Sequence, residues 1–134
     1  MNEERYHQNN IMIVDDDPDI VFSLKMLFER EGFKVTNAYN GRHCLIQLEK
    51  GFQGIILLDL MMPVLNGIET IKKMTVDGFI QQNTVIVLTA KRIQGEEFNE
   101  IYSYIAEYIT KPFDINTLVQ TVKRIAKKPP MKRI

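Results

Sequence analysis

Four short apolar runs, each stopping at polar residues, constrain this chain more than any other feature. Ile11-Met12-Ile13-Val14 leads into Asp15-Asp16-Asp17-Pro18, and Ile55-Ile56-Leu57-Leu58 leads into Asp59. Val85-Ile86-Val87-Leu88 ends at Thr89, and Tyr108-Ile109-Thr110 leads to Lys111-Pro112. Runs this short and this apolar read as strands buried on both faces of a parallel sheet. In open α/β sheets, residues just past the carboxyl ends of strands converge on one edge, where ligands bind. Carboxylates, a hydroxyl and an ammonium gathered there suit a divalent cation and a phosphoryl group.

The segments between the runs carry helical rhythm. Asp17 can cap a helix whose first residue is Pro18, where a missing N–H costs nothing. Ile20, Val21, Leu24, Leu27 and Phe28 recur at helical spacing until Gly32. Phe33 to Tyr39 reads as a further strand, and Asn40-Gly41 opens a helix with Cys44, Leu45 and Leu48 inward, closed by Gly51. Met62 to Gly67 reads as a loop; Asn66 with Glu69 then forms a capping-box start for a helix carrying Ile68, Ile71 and Met74. Phe98, Ile101, Tyr102 and Ile105 predict a fourth helix, and Tyr108 and Ile109 a short fifth strand. Asp114 caps a last helix with Leu118, Val119, Val122, Ile125 and Ala126 on one face. Strict alternation of strand and helix implies right-handed crossovers and a five-stranded parallel sheet with helices on both faces.

At 134 residues the chain is one domain, with loose tails expected over residues 1–9 and 128–134 around a folded unit of 10–127. Formal net charge is zero, so bulk charge gives no support for binding nucleic acid. No apolar run approaches the ~20 residues that span a bilayer, and the polar start is not a signal peptide. One cysteine, Cys44, excludes an internal disulfide and fits a reducing cytoplasm; on a helix it reads as a small apolar residue.

Asp15, Asp16 and Asp59 fall within a few ångströms of one another if the first and third strands are neighbours. Two like charges about 5 Å apart repel by roughly 3 kcal/mol at an effective dielectric near 20. Three such groups need a cation, or one stays protonated. Mg²⁺ fits, because it takes oxygen ligands and is often completed by substrate phosphate. The plainer reading, that aspartates after strands cap helices, holds for Asp17. It is weaker for Asp59, since no helix begins until about Gly67. A carboxylate beside Mg²⁺ can act as a nucleophile toward phosphorus, with Lys111 and Thr89 serving the phosphoryl oxygens.

Asp15-Asp16, Asp59 with Met62-Pro63 and Gly67, Thr89-Ala90, and Lys111-Pro112-Phe113 together resemble the receiver domain of two-component response regulators. The resemblance runs from about Asn10 to Lys127. It implies a flavodoxin-like (βα)5 doubly wound fold with strand order 2-1-3-4-5. Carried over residue by residue, it makes Asp59 the phosphoacceptor. Asp15, Asp16, Asp59 and the Met61 backbone carbonyl would hold Mg²⁺, for which Mn²⁺ can substitute, and Asp16 is favoured over Asp15 as a direct ligand. Thr89 and Lys111 would bind the phosphoryl group, and the Lys111–Pro112 peptide would be cis. Thr89 and Tyr108 would form the switch, the ring turning inward as Thr89 is drawn to phosphate; otherwise Tyr108 is a surface aromatic on an edge strand.

The implied partners are a histidine kinase or histidine phosphotransfer protein upstream and a protein target downstream. The target would read helix 4, strand 5 and helix 5 around Tyr104, Tyr108 and Leu118, with no nucleic acid or membrane bound by this chain. The domain would catalyse its own phosphorylation and dephosphorylation without being a conventional enzyme. Where receivers commonly end helix 4 with Gly-Ala, Tyr104 and Ile105 stand, so that helix can run longer or pack differently. Met61 and Lys91 occupy positions that influence the lifetime of the phosphoryl group in the family. Lys127 to Ile134 is too short to be a DNA-binding module, which leaves a stand-alone receiver or a piece of a longer regulator. Three other readings compete: a phosphorylation-independent binding module on the same fold, an FMN carrier, and an aspartyl phosphatase. The second lacks a phosphate-cradling loop after the first strand. The third lacks an acid two residues beyond Asp59, where Met61 stands.

Overall fold

The computed structural model describes residues 8–62, 65–90 and 95–129. Strands and helices alternate throughout: β1 (Asn10–Val14), α1 (Pro18–Arg30), β2 (Lys34–Ala38), α2 (Gly41–Glu49), β3 (Ile55–Leu58) and α3 (Gly67–Val76), then β4 (Thr84–Thr89), α4 (Glu96–Ile101), β5 (Ile105–Thr110) and α5 (Ile115–Ala126). The strands form one five-stranded sheet in the order β2-β1-β3-β4-β5, every pair parallel. This is the flavodoxin-like arrangement, doubly wound.

Alternation along the central strands divides the core in two. Met12, Val14, Ile56, Leu58, Val85 and Val87 face α2, α3 and α4, meeting Cys44, Leu48, Ile71 and Met74. Ile11, Ile13, Ile55, Leu57, Ile86 and Leu88 face α1 and α5, meeting Leu24, Phe28, Leu118 and Val122. Both faces of β1, β3 and β4 are covered, which is why those strands read as unbroken apolar runs. Burial pushes the Cys44 thiol up to about 12, so it sits there as a neutral apolar group.

The helix starts follow the capping chemistry read from the chain. Asp17 accepts from the Asp19 amide, Asn40 from His43 and Asp114 from Thr117, at 2.8 to 2.9 Å. Asn66 and Glu69 close a reciprocal capping box. No helix among the described residues is long and apolar enough to cross a membrane.

Three expectations change. The fourth helix does not reach Ile105: α4 stops at Ile101, one 3-10 turn covers Tyr102–Tyr104, and Ile105 opens β5. Ile105 is taken by the sheet, where it pairs with Val85; Glu107 pairs with Ile86, so Ala106 bulges out of the ladder. Without a glycine the chain turns through the tight 3-10 step, and helix 4 is shorter rather than longer. Leu118 is no part of an outer surface: it is fully buried against the sheet. Gln8, assigned by composition to a loose tail, is only 6% exposed. Its amide donates to the Ala126 carbonyl, its side-chain amide to the Lys128 carbonyl, and its Oε1 accepts from the Thr84 hydroxyl. Asn9 accepts from the Lys34 amide. Residues 1–7 lie outside the described residues.

Gln8 thus fastens the start of the sheet to the end of α5. Gln8→Ala leaves the Thr84 hydroxyl and the Lys128 carbonyl without these partners, at a cost of about 1–3 kcal/mol. Urea unfolding should show a lower midpoint with an unchanged slope; an unaltered midpoint would mean water replaces the side chain.

Candidate functional site

The site residues are set by the ladder of the sheet. Register pairs Val14 with Leu58 and Leu58 with Val87. The hydrogen bonds then run one residue beyond the strands. The Asp15 amide donates to the Ala38 carbonyl, Asp59 to Val14 and Lys111 to Thr89, at 2.7 to 3.1 Å. Asp15, Asp59, Thr89 and Lys111 are therefore carried to one edge by backbone that cannot slide.

Gly67 lets α3 approach this edge. A Cβ there would stand 2.6 Å from the Leu60 Cα and 2.8 Å from the Asp59 carbonyl oxygen, closer than atoms can sit. The Gly67 amide instead donates to the Leu60 carbonyl at 3.0 Å, tying the loop after β3 to the helix.

One carboxylate oxygen each from Asp15, Asp16 and Asp59 lies within 4.8 Å of the others. Asp15 and Asp59 are buried and Asp16 is exposed. Asp15 Oδ1 accepts from the Asp17 amide and Asp59 Oδ1 from the Met61 amide. Their other oxygens share one ammonium: Lys111 Nζ is 2.8 Å from Asp15 Oδ2 and 3.3 Å from Asp59 Oδ2. The peptide after Lys111 is cis.

Burial raises the Asp59 pKa above the usual carboxylate value. The Met61 amide and the Lys111 charge oppose that rise, and the Asp15 charge adds to it. Burial pulls Lys111 down, but the hydrogen bond and charge of Asp15, then those of Asp59, outweigh it, and its pKa ends above normal. Lys111 is a cation throughout the neutral range. With three acids against one base, the cluster retains negative charge. An all-oxygen donor set with one open, exposed member suits a hard divalent cation.

Thr89 adds a second signature. It is fully buried, and its hydroxyl has no hydrogen-bond partner among the described residues. A buried polar atom without a partner is uncommon in folded proteins, which sets Thr89 apart. Tyr108 lies on β5, half-buried, with its ring edge-on to Phe98 of α4 at 5.6 Å. Phe98 also meets Tyr102 at 5.6 Å.

The structure therefore brings Asp15, Asp16, Asp59 and Lys111 together, with Thr89 on the adjoining strand end. Met61 touches the cluster through its amide, while the residue as a whole is 48% exposed. Lys91 lies outside the described residues. Two features escaped the sequence reading. The Asp15–Lys111 bond joins residues 96 apart, and only opposite charge at one sheet edge hinted at it. Phe98 as a neighbour of Tyr108 was masked by a helical spacing that treats it as generic core.

A doubly wound parallel sheet with paired acids after β1, an acid after β3 and a lysine after β5 defines an α/β protein with an acidic site at the carboxyl edge of its sheet. Residues 11–123 match the model of the response regulator receiver domain, and the chain belongs to that family, the receivers of two-component systems. It is 36% identical over 123 residues to the transcriptional regulatory protein CpxR of Escherichia coli strain K12, covering 90% of this chain and 50% of CpxR. The match to the transcriptional regulatory protein SrrA of Staphylococcus aureus strain NCTC 8325 is 37% over 123 residues, covering 90% and 48%. The chain thus spans about half the length of these curated relatives. A CheY-like receiver domain protein from Methanospirillum hungatei superposes with a TM-score of 0.82 at 34% identity, over 87% of this chain and 93% of that one. The response regulator TrrA of Thermotoga maritima, solved in complex with Mg²⁺ and BeF, superposes at 0.72 with 28% identity, over 87% and 98%.

Because the Asp59 pKa in the fold lies above its unfolded value, this group's favourable contribution is complete below the unfolded pKa. It is lost as pH rises through the folded pKa. At neutral pH ionised Asp59 is a burden, and Asp59→Asn should raise the melting temperature by a few degrees. That gain should shrink to nothing as pH falls below the carboxylate range. Mg²⁺ should raise the melting temperature of the natural sequence, and do so less for Asp16→Asn. A thermal-shift series across pH and Mg²⁺ checks all three; a lower melting temperature for Asp59→Asn at neutral pH contradicts the assigned electrostatics.

Proposed function

We propose that this receiver is a phosphorylation switch in which Asp59 accepts a phosphoryl group from the phosphohistidine of a sensor kinase or phosphotransfer protein. One observation carries the reading: a nearly buried lysine clasped between Asp15 and Asp59. As a stabilising device a buried ion pair is a poor investment, since desolvation cancels most of the attraction. As a preset binding point for an oxygen of a transferring phosphoryl group, it is apt.

Asp59 carries the reaction as a nucleophile. A carboxylate oxygen forms the new O–P bond while the P–N bond of the donor breaks, its electron pair staying on the imidazole nitrogen. Mg²⁺, bound by Asp15, Asp16, Asp59 and the Met61 carbonyl, would neutralise charge on the phosphoryl oxygens; Mn²⁺ can replace it. Lys111 offers its ammonium to one oxygen of the group and the Thr89 hydroxyl donates to another. Asp59 must be ionised to attack, so its raised pKa makes transfer fail at a higher pH than an exposed aspartate would. Water later attacks the phosphorus, the Asp59 O–P bond breaks and inorganic phosphate leaves, so the domain catalyses its own phosphorylation and dephosphorylation without being a conventional enzyme.

Once Thr89 is engaged, Tyr108 has reason to move, because its ring packs on α4 through Phe98 and its strand is bonded to β4. Phosphorylation then biases an existing equilibrium by the difference in phosphoryl contacts between its two states. The downstream target is a protein reading α4, β5 and α5, centred on Tyr104 and Tyr108. The functional unit spans residues 10–127, extended by the Gln8 and Lys128 contacts, in the cytoplasm.

Intact-mass measurement after incubation with acetyl phosphate and Mg²⁺ tests the reading. The expected result is a labile gain of one phosphoryl group, absent in Asp59→Asn and without Mg²⁺. No gain from acetyl phosphate or any phosphohistidine donor would reduce the domain to a phosphorylation-independent binding module. Lys111→Ala should fold yet lose the spectral change that phosphorylation brings; an undiminished change would refute its role.

A further inference from the structure

On the side of the sheet that carries α2 and α3, a groove of about 610 Å³ runs between the two helices. Its floor is apolar, made by Leu45, Ile46 and Leu65, and Ile46 is 42% exposed. Its rim carries two cations, Arg42 and Lys73, and two anions, Glu49 and Asp77. None of these four takes part in an ion pair among the described residues. Elsewhere Lys72–Glu100, Lys123–Glu31 and Arg124–Glu107 pair within the chain.

Three of the four rim charges, Arg42, Glu49 and Asp77, are also placed against local preference. Helix dipoles favour acids in the first turn and bases in the last. Arg42 stands in the first turn of α2, Glu49 is its last residue, and Asp77 caps the carboxyl end of α3. Neither end of α2 carries the sign of charge that suits it. In α2 this arrangement weakens the helix; in α3 Glu69 in the first turn and Lys73 in the last suit the dipole, and only Asp77 opposes it.

The pattern has a geometric regularity. Both helices follow strands of one parallel sheet, so both run the same way. In α2 the cation precedes the anion by seven residues, about 10 Å of helix; from Lys73 to Asp77 the order repeats. A two-fold axis across the groove reverses the direction of the second copy, and then cations of each copy meet anions of the other over apolar floors. The groove is complementary to itself, which is the condition for an isologous contact.

We propose that the α2–α3 groove is a self-association surface, occupied by a second copy of this chain packed antiparallel, Arg42 against the partner's Glu49 and Lys73 against its Asp77. None of the residues involved belongs to the acidic site or to the α4–β5–α5 face, so dimer formation is independent of phosphorylation chemistry.

Analytical ultracentrifugation of the full chain over a concentration series reads the proposal. The natural sequence should shift toward twice its 15.6 kDa mass as concentration rises, and less so at high salt. Arg42→Glu or Glu49→Arg should each weaken association at least tenfold, by setting like charges against each other. The double exchange R42E/E49R should restore it. Mixing the two single variants should give a heterodimer, since each then presents the charges the other lacks, which also excludes misfolding as the cause of the loss. A chain that stays monomeric overturns the proposal and leaves the groove to another protein or to solvent. So does a dimer indifferent to these exchanges, which would lie on another face.

Discussion

The parallel hydrogen-bond ladder is the constraint on which the rest depends. In a sheet buried on both faces, a slip of one residue would turn every strand's side chains to the wrong layer. Here β3 and the interiors of β1 and β4 are apolar, so both layers hold the register, one through Met12, Ile56 and Val85, the other through Ile11, Ile55 and Ile86. Because the ladder continues one residue past the strands, the same register that packs the core aligns Asp15 with Asp59 and Lys111 with Thr89. The chemistry is positioned by bonds that fold the protein anyway.

What that alignment produces is a local conflict. Two buried carboxylates share one ammonium beside an exposed third carboxylate, and burial drives the Asp59 pKa up. A sequence optimised for stability would have removed this arrangement. The Thr89 hydroxyl, without a hydrogen-bond partner among the described residues, belongs to the same class of cost. On the proposed function, a cation and a phosphoryl oxygen would satisfy these groups better than the clasp of Lys111 does.

Most of the fold was legible because its signals were strong and local. The apolar runs, the caps at Asp17, Asn40, Asn66 and Asp114, and the stop at Gly32 each carry their physics within a few residues. The end of the fourth helix was not legible. Phe98, Ile101, Tyr102 and Ile105 satisfy helical spacing, yet the pull on Ile105 comes from Val85 across the sheet, a contact no local pattern reveals. Leu118 repeats the lesson from the other side: it sits on the stripe of the last helix that the sequence itself marked as apolar. Gln8 looked like tail because glutamine is polar, while its burial is underwritten by three distant backbone and hydroxyl groups. The site residues were legible as types at strand ends; the bond from Lys111 to Asp15 required the fold.

The bulge at Ala106 has a consequence for how the molecule behaves in a crowd. β5 is the outer strand of the sheet, and a flat outer strand offers its free amides and carbonyls to any other unpaired chain. The skipped residue breaks the evenness of that rim, and Glu107, ion-paired to Arg124, sets a charge beside it. At the opposite rim β2 carries Lys34, Thr36 and Asn37, polar residues in a short strand. The two borders of the sheet are thus poor templates for further strands.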